Sequence, residues 1–107
     1  MKLFVANVEA FVPNQPVLFE QESVRIYLAF KDSKIYAIAD KCPHLGTSLM
    51  KGTYEDGVVT CKSHGAKIDI SSGDIIEKAH LGFVKMPTKI AKTYQVSIED
   101  NKVYVEI

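Results

Sequence analysis

Both cysteines of the chain and two of its three histidines fall in one stretch, "KCPHLGTSLMKGTYEDGVVTCKSHGAK", Lys41 to Lys67. Cys42 is followed two residues on by His44, and Cys61 three residues on by His64. No other feature restricts the fold as much. Each pair sits where a strand-like run stops, Cys42 after "IYAIADK" and Cys61 after "GVVT". Pro43 stiffens the first turn, and Gly46 and Gly65 let the backbone bend after each histidine. Two loops, each with one thiol and one imidazole, can therefore meet at one end of a sheet. A lone cysteine is ordinarily a small buried hydrophobe. The same pairing made twice, from side chains this scarce, argues for shared chemistry instead.

The rest of the chain reads as β-structure. "SVRIYLAF" alternates, with Val24, Ile26, Leu28 and Phe30 on one face and Arg25, Tyr27 and Ala29 on the other. "KDSK" (31–34) is a turn, and "IYAIA" (35–39) returns as the next strand. "GVVTC" (57–61) and "AKIDI" (66–70) are short strands flanking "KSHG", and "SSGD" (71–74) is a further turn before "IIEK". "TYQVSIE" sets Tyr94, Val96 and Ile98 on one face. Asp100 and Asn101 tolerate a left-handed turn, and "KVYVEI" closes that hairpin. Helical periodicity is weak throughout. Many short strands at close spacing predict an all-β sandwich or small barrel.

Length and composition restrict the function. The 107 residues have room for one domain, 1–107, with a modest core. The formal net charge is zero, so no long-range field favours nucleic acid or an anionic membrane. No apolar run approaches the length of a membrane-spanning helix. "MKLFVANVEAF" is broken by Asn7 and Glu9 and does not read as a secretory signal, so a cytoplasmic protein is expected. In that reducing compartment the two cysteines suit metal or redox work better than a disulfide.

The chemistry depends on how the loops share ligands. A structural zinc ordinarily takes like pairs, two Cys from one element and two His from another. Here each loop is mixed. Mixed loops suit a two-metal cluster straddled by both, one iron taking Cys42 and Cys61 and the other His44 and His64. A small zinc-stabilised binding module using the same four residues is the alternative.

The spacing Cys-x-His, then sixteen residues from Leu45 to Thr60, then Cys-x-x-His-Gly, resembles the Rieske [2Fe–2S] family. "IYAIADKCPHLG", "HGAKIDISSGD" and "AKTYQVSIEDNKVYVEI" are similar to that family's first cluster loop, the segment after its second, and the closing hairpin of its stand-alone ferredoxins. The resemblance implies a three-sheet antiparallel β-sandwich with a small subdomain of two loops. It implies one [2Fe–2S] cluster per chain on Cys42, His44, Cys61 and His64, the histidine-bound iron nearest solvent. It also implies a soluble, single-electron carrier with no catalytic residue of its own. The partners would be a redox donor, such as a flavin reductase, and an acceptor, such as an oxygenase. A tightly bound redox subunit of a reductase is a further alternative.

The departures are specific. High-potential members of the family carry two more cysteines, where this chain has Thr47 and Ser63. They also place a serine and a tyrosine where this chain has Ala66 and Ile68, so two hydroxyl donors are missing. With fewer donors the reduced cluster is less stabilised, which implies the low-potential ferredoxin branch. The chain is also too short for the mononuclear iron domain of full oxygenase subunits. Leu45 is expected to shield the cluster and Pro87, in "LGFVKMPTK", to close it. His80 has no cysteine partner and is expected to be structural or on the surface.

Overall fold

The computed structural model describes residues 1–21, 23–41, 48–62, 65–77, 80–81, 84–85 and 91–107. Twelve strands and two single 3-10 turns make up its regular structure, and no α-helix occurs among the described residues. The strands are β1 (Lys2–Asn7), β2 (Val17–Gln21), β3 (Val24–Lys31), β4 (Lys34–Ala39), β5 (Thr53–Glu55) and β6 (Val58–Thr60). They continue with β7 (Lys67–Asp69), β8 (Ile75–Glu77), β9 (His80–Leu81), β10 (Val84–Lys85), β11 (Thr93–Glu99) and β12 (Lys102–Glu106). They form antiparallel sheets in the orders β1-β12-β11-β4-β3-β2, β5-β6-β7-β8 and β10-β9. The all-β, three-sheet expectation agrees with this arrangement.

The turns form where the sequence provides for them. Asp32 and Ser33 (φ 50° and 65°) close β3 onto β4, and Asp100 and Asn101 (φ 51° and 62°) close β11 onto β12. Two consecutive left-handed residues match the twist of a tight hairpin. Gly73, at φ 78°, meets the same demand after β7.

The six-stranded sheet is joined in its middle by only two pairings, Thr93 with Ile38 and Tyr94 with Ala37. Its two halves separate from there and fold over one core. Ile26, Leu28, Ile35 and Ala37 of β3 and β4 meet Val103 and Val105 of β12, with Phe11 beside them. The other face of β3 and β4 is also covered. Tyr27, Ala29 and Ile38 pack with Leu49, Tyr54, Val59, Cys61, Ala66, Ile68 and Ile70 around the four-stranded sheet. Strand β3 is thus buried on both faces, which explains its nearly continuous apolar run.

Candidate metal centre

The two Cys/His segments belong to adjacent ends of the packed sheets. The first leaves β4 at Asp40 and Lys41 and rejoins the described chain at Ser48, followed by the 3-10 turn Leu49–Lys51. The second leaves β6 at Cys61 and returns at Gly65 before β7. Cys61 lies where the sequence predicts, directly after a strand, and is 1% exposed. Its N–H donates to the Ala66 carbonyl at 2.8 Å, and its own carbonyl accepts from the Gly65 N–H at 3.2 Å. The backbone therefore doubles back tightly, and Gly65 takes φ 75° to permit it. Cys42, His44 and His64 lie outside the described residues, as do Pro43, Leu45 and Pro87. His80 opens β9 and pairs through its backbone with Lys85 of β10.

Two contacts hold the stems of the segments together. Leu49, on the return from the first, shares a core cluster with Cys61. Gly52 passes so close to the end of β6 that a Cβ there would overlap the Thr60 carbonyl oxygen and stand 3.1 Å from the Lys62 nitrogen. That approach is possible only for glycine.

A contact between the two ends of the first segment is not signalled by the sequence. Asp40, two residues before Cys42, has a side chain with no exposure to solvent. One carboxylate oxygen accepts from the backbone N–H groups of Leu49 at 2.9 Å and Met50 at 3.2 Å. The other accepts from Ser48 Oγ at 2.7 Å, Arg25 Nη2 at 3.0 Å and Arg25 Nε at 3.3 Å. Arg25 also donates to Glu20 at 2.6 Å. The hydrogen bond to Asp40 raises the Arg25 pKa further above its ordinary value. A buried carboxylate is tolerated because donors surround it. Asp40, Arg25, Ser48 and Gly52 are the residues that sequence reading missed. The only signal was an aspartate and a serine bracketing the first Cys/His pair.

Around Cys61 the wall is apolar. Ala66 and Ile68 are fully buried, and neither side chain carries a donor. A dry wall and a thiol at a pinned strand end fit one side of an iron–sulfur site, and the sequence puts a second thiol and two imidazoles on the same two segments.

Comparison with known proteins agrees with an iron–sulfur cluster as the cofactor. The sequence model of the family described as "Rieske [2Fe-2S] domain" matches residues 1–88, and the chain belongs to that family. The family's domain holds one [2Fe–2S] cluster. Human apoptosis-inducing factor 3 is 36% identical over 81 residues, which are 76% of this chain. The chain spans only 12% of that protein's length. The 3-phenylpropionate/cinnamic acid dioxygenase ferredoxin subunit of Photorhabdus laumondii is 27% identical over 107 residues, covering 99% of this chain and 94% of its own. Among solved structures, the ferredoxin of Sphingomonas yanoikuyae B1 superposes with a TM-score of 0.78 at 26% identity, over 100% of this chain and 99% of that one.

Proposed function

We propose that the protein is a Rieske-type ferredoxin that carries single electrons between a reductase and a terminal oxygenase or other redox enzyme. In this reading Cys42 and Cys61 bind one iron, and His44 and His64 the other. The observation that carries it is the joining of the two segments, with Cys61 buried against Leu49 and Gly52 laid on the end of β6. The stems of two segments far apart in sequence thereby meet, and this supports a site shared by the four residues they carry. The near end-to-end match to a dioxygenase ferredoxin subunit supports the carrier role and an oxygenase as acceptor.

When bound, the cluster would supply a one-electron carrier held by these four residues. The chain's own residues do the rest. The pinned turn from Cys61 to Ala66 keeps the thiol at a fixed place. The buried walls at Ala66 and Ile68 keep water and hydroxyl donors away from that thiol. The protein catalyses no substrate reaction itself in this account. We place it in the cytoplasm, where cysteines stay reduced and open to iron. Among the described residues, no helix is long and apolar enough to cross a membrane. The zinc-module reading draws no support from the family match.

Ligand replacement tests the assignment. Cys42→Ser and Cys61→Ser should each abolish cluster binding, whereas His44→Cys or His64→Cys should keep iron at a lower potential because a charge is added. Full iron content in Cys42→Ala and Cys61→Ala proteins would reject these ligands.

A further inference from the structure

Asp40 joins the two ends of the first Cys/His segment. It stands on the entering side, its backbone N–H donating to the Arg25 carbonyl of β3 at 3.0 Å. Its side chain reaches across to the leaving side, where Ser48 Oγ and the N–H groups of Leu49 and Met50 all donate to it. Ser48 has one hydroxyl proton, and the contact at 2.7 Å assigns that proton to Asp40. The hydroxyl oxygen can then accept from the Met50 N–H at 3.3 Å. Arg25 donates from outside with two of its nitrogens to the oxygen that Ser48 also holds, and its Nη2 lies 3.4 Å from Ser48 Oγ. One rigid side chain therefore sets the distance between the stems of residues 41–47.

We propose that Asp40 is the positioning residue of the first ligand loop, with Ser48 and Arg25 as its supports. This rests on the reading that Cys42 and His44 are ligands. Fixing the two described ends, Asp40 and Ser48 to Met50, restricts the span that the ligand segment between them must bridge. The carboxylate touches no metal. Its oxygens are taken up by Ser48, Leu49, Met50 and Arg25, so it acts through the loop.

The test uses the holoprotein and three variants, Asp40→Asn, Ser48→Ala and Arg25→Gln. The asparagine can still accept from Leu49 and Met50, but its amide group opposes the Arg25 donors. Cluster loss to an iron chelator should be roughly tenfold to a hundredfold faster in Asp40→Asn, and faster to a smaller degree in Ser48→Ala. The reduced Asp40→Asn protein should show broadened and shifted electron paramagnetic resonance features and a shifted midpoint potential. Arg25→Gln, which removes the Arg25 contacts to Asp40 and Ser48 Oγ but keeps the Leu49 and Met50 donors, should speed cluster loss less than Asp40→Asn does. Should Asp40→Asn fail to fold, Ser48→Ala decides by the same readouts. Unchanged cluster loss, spectrum and potential in Asp40→Asn and Ser48→Ala, whatever their melting temperatures, would overturn the proposal by reducing Asp40 to an ordinary fold-stabilising group. A wild-type protein without iron and sulfide would overturn the ligand reading itself, a result distinguishable because it needs no variant.

Discussion

Gly52 lies against the Thr60 carbonyl with no room for a side chain between them. This backbone contact sets the stem of the first Cys/His segment on the stem of the second. Neither residue is a proposed ligand, yet their approach joins the two stems that carry the proposed ones.

Gly52→Ala should therefore be costly. The new methyl group would push on backbone, which cannot rotate away as a side chain can. We expect a loss of about 2–3 kcal/mol in chemical denaturation, together with reduced cluster content. A fully loaded variant of wild-type stability would show that the stems tolerate separation.

The reduction potential should lie low in the Rieske range, at roughly −150 mV and far from +300 mV. The reason is the missing hydroxyl donors at Ala66 and Ile68, both fully buried. Ala66→Ser should raise the potential and is the cleaner substitution. Ile68→Tyr should also raise it, but must enlarge a side chain inside a closed core and will lose stability. A wild-type potential well above zero would contradict this account of the apolar wall.

Alkaline unfolding should depend on Tyr27. Burial, with smaller contributions from Tyr54 and Asp40, raises its pKa far above the ordinary 10.0. A raised folded pKa gives stability that is complete below the unfolded pKa and is lost as pH rises from there toward the folded one. Stability should fall as pH rises beyond 10.0, and Tyr27→Phe should flatten that fall. Equal pH slopes in both proteins would exclude Tyr27 as the source.

Docking to a redox partner should depend on salt. Lys41 and Lys51 line a groove of about 510 Å³ that touches both stems of the first segment, where Arg25 is already paired with Asp40 and Glu20. Lys62 is exposed beside Cys61. Asp32, Asp56 and Asp100 lie in turns at the other end of the strands. An acidic partner surface would be steered to the basic end. Electron transfer to the partner should slow as ionic strength rises, and Lys41→Glu or Lys51→Glu should slow association about tenfold at low salt. A flat salt response with neither variant affected would reject steering.

Much of the architecture is readable in the residues. The hairpins at Asp32–Ser33 and Asp100–Asn101 follow from local turn chemistry, and Cys61 ends a strand as its context implies. Strands β1, β2 and β5 are not readable in this way. In β1 the apolar residues lie on both faces, Leu3 and Val5 toward the core and Phe4 half exposed. Its partner is β12, at the far end of the chain, with Lys2 opposite Glu106. Strand β5 has only three residues, too few to show a period. Ile98 alternates with Tyr94 and Val96 yet is 52% exposed, because it lies beyond the short stretch where β11 pairs with β4. Asp40 was invisible for a different reason. Carboxylates are seldom buried, and only the three-dimensional return of Ser48, Leu49 and Met50 supplies the donors that allow it.

The most direct test of the central claim is metal and sulfide analysis of the purified holoprotein, read together with its electron paramagnetic resonance spectrum after reduction. A cluster on two cysteines and two histidines predicts two irons and two acid-labile sulfides per chain. It also predicts a lower average g value than a cluster held by four cysteines would give. One zinc per chain with no sulfide would contradict the account.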